Sequence, residues 1–170
     1  MEDILLIDQA KEGNKESIDK LIKSRGPKMY KVAFCYVKNE ASALEVVSEA
    51  TFKAYVSIGK LKNPEYFDTW LCRIVINEAL RLLKKQKKIV SLDEYREVSA
   101  KEESVKIEER VDLYNALDKL KKDEKEILIM KYFGDLTFEG ISKILGKSEN
   151  TIKTKHYRAL NKVKAILEGV

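Results

Sequence analysis

Residues 136–153 read Leu136-Thr137-Phe138-Glu139-Gly140-Ile141-Ser142-Lys143-Ile144-Leu145-Gly146-Lys147-Ser148-Glu149-Asn150-Thr151-Ile152-Lys153, two helical patterns joined by a tight corner at Gly146. That is the outline of a helix-turn-helix, a module whose second helix enters the DNA major groove. Thr137 is placed to cap the first helix, but a capping box would need Glu or Gln three residues later, and that position is Gly140. Leu136, Ile141, Ile144 and Leu145 supply an apolar face. Gly146 can take the left-handed conformation that ends the first helix, and Ser148 can cap the second.

Projected at about 100° per residue, the second helix has two distinct sides. Ile152, His156, Ala159, Leu160 and Val163 fall together as a packing face. Asn150, Lys153, Thr154, Tyr157 and Asn161 fall opposite, with Arg158 at the edge. Amide, hydroxyl and cationic groups of this kind read base edges and grip phosphates. A solvated helix face is the alternative.

Composition narrows the classes. The chain has 170 residues, 44% of them hydrophobic, enough for one ordinary domain or two small ones. Its formal charge of +5 is unevenly spread: +5 over residues 1–90, −3 over 91–110 and +3 over 111–170. Two basic lobes around an acidic connector suit an anionic polymer contacted at two places. Met1-Glu2-Asp3 is acidic and the apolar run from Ile4 to Ile7 is short, so nothing resembles a signal peptide, and no stretch could span a bilayer. Cys35 and Cys72 both sit in helical patterns and read as buried free thiols. A cytoplasmic protein is expected.

The connector places a domain boundary. From about Gln86 to Lys106 apolar periodicity lapses into polar runs such as Asp93-Glu94-Tyr95-Arg96-Glu97, predicting a flexible or partly helical tether. Before it, helical patterns recur around Ile4 to Ala10, around Ile18, Leu21 and Ile22, around Tyr30, Ala33, Phe34 and Val37, and around Leu44, Val47, Ala54 and Tyr55. Gly13-Asn14, Gly26-Pro27 and Asn39 punctuate them, which places both prolines in breaks. No period-2 segment stands out, so the expectation is an all-α chain of two small domains, residues 1–88 and 108–170, with a linker over 89–107.

A second informative stretch runs from Phe67 to Lys85. On a helix, Trp70, Arg73, Asn77, Arg81, Lys84 and Lys88 share one stripe, while Leu71, Val75, Ala79, Leu82 and Leu83 cover the other side. An aromatic, an amide and a run of cations can stack on, hydrogen-bond and neutralise unpaired nucleic acid. Equally, Trp70 could be a core residue and the basic tail a solvated helix end favoured by the macrodipole.

Together the two segments resemble sigma factors of the extracytoplasmic-function group of the sigma-70 family. Trp70-Leu71-Cys72-Arg73-Ile74-Val75-Ile76-Asn77 is similar to the W-L-x-R-I-A-x-N signature of sigma domain 2, and Thr151 to Ala159 is similar to the T-V-K-S-R-x-x-R-A signature of domain 4. The resemblance implies that Glu45, Ser48 and Glu49 dock on the β′ clamp helices of bacterial RNA polymerase core, with a further contact between domain 4 and the β flap. It implies that the loop between Ile58 and Asp68 captures a flipped minus-10 base beside Asn77, within a melting surface of Trp70, Arg73, Asn77, Arg81 and Lys84. It implies minus-35 contacts from Lys153, Thr154, Tyr157 and Arg158, and Asn150 and Thr151 at the start of the same helix are expected to join them. A monomer when free is expected, and an anti-sigma factor, commonly membrane-anchored in this group, is the implied regulator.

The chain departs from the family pattern at three places. The usual Asp-Leu-Val-Gln-Glu run appears as Glu45-Val46-Val47-Ser48-Glu49, which puts a serine where an amide often helps core binding. Gly140 lies inside a helix, at a cost of about 1 kcal/mol relative to Ala. His156 replaces an apolar residue on the packing face, where a core role leads and a pH switch is a remote second.

No catalytic constellation is present: one His excludes two-His zinc motifs, the cysteines lack metal spacing, and no Gly-rich phosphate loop occurs. No cofactor or metal is expected. In the family it resembles, the polymerase does the chemistry. The alternatives are a helix-turn-helix repressor or activator acting without polymerase, and a helical adaptor that binds only protein; neither requires the second nucleic-acid face on Trp70 to Lys88.

Overall fold

A computed structural model describes the backbone of residues 1–92 and 107–169, with side chains for residues 1–89 and 110–169. Most of the stretch expected to be the linker therefore lies outside the described residues. The described chain is helical, as expected, with α1 Glu2–Lys11, α2 Lys15–Val37, α3 Glu40–Ser57, α4 Phe67–Leu92, α5 Ile107–Asp118, α6 Lys122–Tyr132, α7 Phe138–Leu145 and α8 Glu149–Leu167. Two 3-10 turns, Ile58–Lys60 and Pro64–Tyr66, carry the chain from α3 to α4. Since α4 continues through Leu92, a division after residue 88 falls inside a helix.

Side-chain caps account for several helix starts. The side-chain oxygens of Asn14, Asn39, Thr137 and Ser148 accept from the backbone N–H groups of Ser17, Ser42, Gly140 and Thr151. Each such cap is worth about 1 kcal/mol. Gly146 ends α7 at φ 63°, the left-handed conformation anticipated for the helix-turn-helix corner.

One expected break is absent. Gly26-Pro27 lies within the continuous 23-residue helix α2 instead of separating two helices. An internal proline costs about 3 kcal/mol. Tertiary packing overrides that cost here: Leu21 and Ile22 before it and Met29 and Val32 after it are all buried. Arg25, two residues before Pro27, bonds Asp3 of α1 and Asp68 of α4, both at 2.8 Å.

The first bundle packs α2, α3 and α4 around Leu21, Val32, Val46, Leu71, Val75 and Ile76. Ala43, Ala50 and Ala54 are fully buried on one side of α3, and their small size lets its backbone approach α2 and α4 closely. The second bundle closes α5 to α8 over Leu117, Ile127, Ile129, Met130, Ile141 and Ile152. Lys162 of α8 bonds Glu124 of α6 at 2.7 Å, and Lys155 pairs with Asp123 beside it.

The two bundles pack against each other. A β-carbon on Gly140 of α7 would lie 2.7 Å from Thr69 Oγ1 of α4, and one on Gly134 would lie 3.2 Å from Cys72 Sγ. Phe34 and Tyr114 meet at 5.4 Å between ring centres, and the Lys125 ammonium sits 4.8 Å from the Tyr36 ring centre. Tyr66 donates to Glu139 at 3.0 Å, and Lys28 pairs with Asp135 at 3.3 Å. The glycine that weakens α7 is thus what permits the close helix crossing.

His156 completes the second bundle at 3% exposure. The rings of Tyr132 of α6, Phe138 of α7 and Tyr157 of α8 pack around it, and Lys131 and Lys153 lie over the Phe138 ring. Burial, aided by the Lys131 charge, holds its pKa below the usual 6.5.

Two outcomes follow. Gly140→Ala should part the bundles, raising the radius of gyration in small-angle X-ray scattering above the roughly 15 Å expected of a compact chain this long. Thr69→Ala, which removes the opposing hydroxyl, should restore it. Secondly, the unfolded chain binds a proton at His156 near pH 6.5 while the folded chain resists it, so stability should decline as pH falls below 6.5. Melts from pH 7.5 to 5.5 should show this decline, and His156→Phe should flatten it. Carboxylates held below their usual range, such as Asp123 and Glu124, lose their contribution only at lower pH.

Candidate nucleic-acid and polymerase interfaces

Helix α8 starts on the Ser148 cap and is pinned to the core by buried Ile152, His156, Ala159 and Val163, with Leu160 half-buried. That leaves Asn150, Thr151, Lys153, Thr154, Tyr157, Arg158 and Asn161 exposed. Their chemistry is uneven. Thr151 Oγ1 is bonded to Ser148 Oγ at 2.8 Å, and Thr154 Oγ1 donates to the Asn150 carbonyl at 2.9 Å. Lys153 lies 3.9 Å from Glu149, a weak surface pair. Tyr157, 58% exposed, presents a large aromatic with a hydroxyl at the middle of this face.

On α4 the stripe forms on one helix, but its members meet different environments. Trp70 is half-buried with its ring centre 5.8 Å from that of Phe67, so part of it belongs to the core. Asn77 and Lys84 are exposed. Arg73 turns toward the other bundle, its Nη1 3.7 Å from buried Glu126 of α6 and without a hydrogen-bond partner among the described residues. Arg81 donates to Glu78 at 2.9 Å through Nε and lies 3.8 Å from Glu49. Gln86 reaches across to Ser42 of α3 at 3.2 Å, fixing the direction of the basic end of α4.

Glu78 is the member that sequence reasoning missed. It is buried on α4, where it accepts Lys53 of α3 as well as Arg81. Burial pushes its carboxyl up, but the bonds from Lys53 and Arg81 outweigh that and hold its pKa below the usual value. It therefore stays charged and orients Arg81. The signal was present in the i, i+3 spacing of Glu78 and Arg81.

Helix α3 exposes Glu45, Ser48 and Glu49 on one side. Leu44, Phe52 and Val56 lie on that side too, at 53%, 64% and 65% exposure. Leu44, counted in the apolar pattern of this helix, thus points away from the core, because the alanines fill the inner face. The result is an apolar row at positions 44, 52 and 56, edged by carboxylates, which suits a partner helix with complementary basic groups.

Among the described residues, no cluster of three or more His, Cys, Asp or Glu could hold a metal ion. Cys35 and Cys72 are free and buried, and burial pushes both thiols up to about 12. No described helix is long and apolar enough to cross a membrane.

Comparison with known proteins agrees with this geometry. The family model for Sigma-70 region 2 matches residues 21–89, and that for Sigma-70, region 4, matches residues 110–163. The RNA polymerase sigma factor SigV of Bacillus subtilis (strain 168) is 42% identical over 132 residues, covering 77% of this chain and 79% of that protein. The ECF RNA polymerase sigma factor SigW of the same organism is 25% identical over 167 residues, covering 89% of each. In fold, the chain is similar to CnrH solved in complex with the cytosolic domain of CnrY, with a TM-score of 0.76 at 21% identity over 98% of this chain and 97% of that one. RpoE of Bartonella quintana, solved with the anti-sigma factor NepR, gives a TM-score of 0.70 at 21% identity over 88% and 96%. With both sigma regions matched in order and a relative at 42% identity, the chain belongs to the sigma-70 family, as an RNA polymerase sigma factor of the extracytoplasmic-function type.

Proposed function

We propose that this sigma factor engages polymerase and promoter through three separate surfaces. The exposed α3 row with Glu45, Ser48 and Glu49 docks on the β′ clamp helices, while domain 4 meets the β flap. The turns between Ile58 and Asp68, with Asn77, Arg73, Arg81, Lys84 and the exposed edge of Trp70, hold the melted minus-10 strand. The outer face of α8 reads the minus-35 element. What supports this reading is that one chain carries two surfaces of aromatic, amide, hydroxyl and cationic groups, on α4 and on α8. A repressor would need only the second.

Charge and geometry assign different work to the residues. Tyr157 and Asn150 can contact base edges, whereas Lys153 and Arg158 suit phosphates. Asn77, exposed on α4, offers both a donor and an acceptor to an unpaired base.

The packed bundles set a condition on this activity. Minus-10 and minus-35 elements lie about 25 base pairs apart, or roughly 85 Å at 3.4 Å per step. A compact chain of radius of gyration about 15 Å does not reach both. The contacts between α4 and α7 must therefore part when promoter is bound, which also frees Arg73 from Glu126 and Tyr66 from Glu139. The 14 residues between Leu92 and Ile107 reach at most about 50 Å when extended. An anti-sigma domain that binds both bundles would hold them in the packed state and compete with core. CnrH, of similar fold, was solved with the cytosolic domain of CnrY, and RpoE of Bartonella quintana with the anti-sigma factor NepR.

Asn77→Ala in reconstituted holoenzyme should slow permanganate reactivity of minus-10 thymines while leaving core binding unchanged, and premelted templates should partly rescue it. Normal opening by that variant would remove Asn77 from the site. On a library of minus-35 variants, Tyr157→Ala should lose about 1 to 3 kcal/mol at particular bases. Arg158→Ala should weaken all sequences alike and lower the salt slope by about one unit. The reverse pattern would exchange their roles.

A further inference from the structure

We infer that Tyr132 and His156 are positioning residues for minus-35 recognition, together fixing the ring of Tyr157 on the DNA face of α8. The inference rests on the proposed role of Tyr157 and adds a specificity-determining pair that does not itself project from that face of the recognition helix.

The contacts form a chain through buried His156, from Tyr132, itself half-exposed, to Tyr157. Tyr132, the last residue of α6, has its hydroxyl 2.7 Å from His156 Nε2, and the two rings stack at 5.5 Å between centres with a 24° tilt. His156 in turn packs edge-on against Phe138 at 5.0 Å and against Tyr157 at 4.8 Å. The hydrogen bond fixes the imidazole plane, and the edge-on contact transmits that plane to Tyr157. Lys131 and Lys153 approach the Phe138 ring at 4.4 and 5.8 Å, so the unit lies in an electropositive surround suited to DNA.

Packing alone does not account for a histidine here. Its Nδ1 is buried without a hydrogen-bond partner among the described residues, a desolvation cost that an apolar side chain would avoid. What the imidazole adds over an apolar ring is a directional bond to α6. A side chain held in its binding conformation loses less freedom on binding, an advantage on the order of 3- to 10-fold in affinity.

The test uses holoenzyme reconstituted with core polymerase and a library of minus-35 duplexes, alongside thermal melts of the free sigma factor. Tyr132→Phe removes one oxygen and keeps the ring. It should reduce discrimination at the bases that Tyr157 sets by about 3- to 10-fold, with the salt slope unchanged. His156→Phe, which keeps a ring against Tyr157 but loses the bond to Tyr132, should lose the same discrimination. Tyr132→Phe added to Tyr157→Ala should cause no further loss of preference. Should His156→Phe unfold domain 4, the single-oxygen Tyr132→Phe variant decides alone. A lowered melting temperature with an unchanged base preference in Tyr132→Phe would make the pair merely structural and overturn the inference. An unchanged preference in Tyr157→Ala would instead remove the reading of Tyr157 on which the inference stands.

Discussion

Everything else in this molecule is arranged around the crossing of α7 over α4, where Gly140 lets the helix-turn-helix lie against Thr69. That contact joins the domain holding the face proposed to read the minus-35 element to the helix bearing the stripe proposed to hold the minus-10 strand. It also imposes a conflict, because a body this compact cannot span two promoter elements. The interface is built so that the conflict can be resolved. Two of its ion pairs, Lys28 with Asp135 and Lys38 with Asp118, are partly solvated and of the kind worth at most about 1 kcal/mol each. Tyr36 Oη and Arg73 Nη1 are buried there without hydrogen-bond partners among the described residues. Unsatisfied groups of that kind cost about 1 to 3 kcal/mol each, so the packed state is held less firmly than either bundle core.

Buried carboxylates organise the basic surfaces. Glu78 holds Arg81 and Lys53, Glu124 holds Lys162, and Glu126 faces Arg73. The first three pairs each lie within a single bundle and persist whatever the arrangement of the domains. Glu126 and Arg73 come from different bundles, so how far the Arg73 charge is compensated depends on whether the domains are together. One arginine thereby links the placement of the domains to the electrostatics of the surface proposed to hold the minus-10 strand.

Much of this was legible in the sequence where the physics is local. The Thr137 and Ser148 caps, the left-handed Gly146 and the two faces of α8 all follow from short-range rules, and each lies where those rules put it. Long-range packing was not legible. Pro27 reads as a break because its local cost is real, yet buried side chains on both sides keep α2 whole. Gly140 reads as a defect until its neighbour Thr69, 71 positions earlier, is in view. Leu44 follows a helical apolar spacing whose direction only the tertiary structure sets. The stripe on α4 was visible as a set, but its division between exposed Asn77 and interface-bound Arg73 was not.

The most direct test is the distance between the domains, followed by energy transfer between dyes on Lys20→Cys in α2 and Lys164→Cys in α8, since buried Cys35 and Cys72 are shielded from labelling. The free sigma factor should give high transfer, consistent with packed bundles. Addition of core polymerase and promoter DNA should reduce transfer to the level expected for domains placed at minus-10 and minus-35 elements about 85 Å apart. High transfer retained in a transcriptionally active complex would contradict the account, because the two DNA faces would then be working without leaving the packed state.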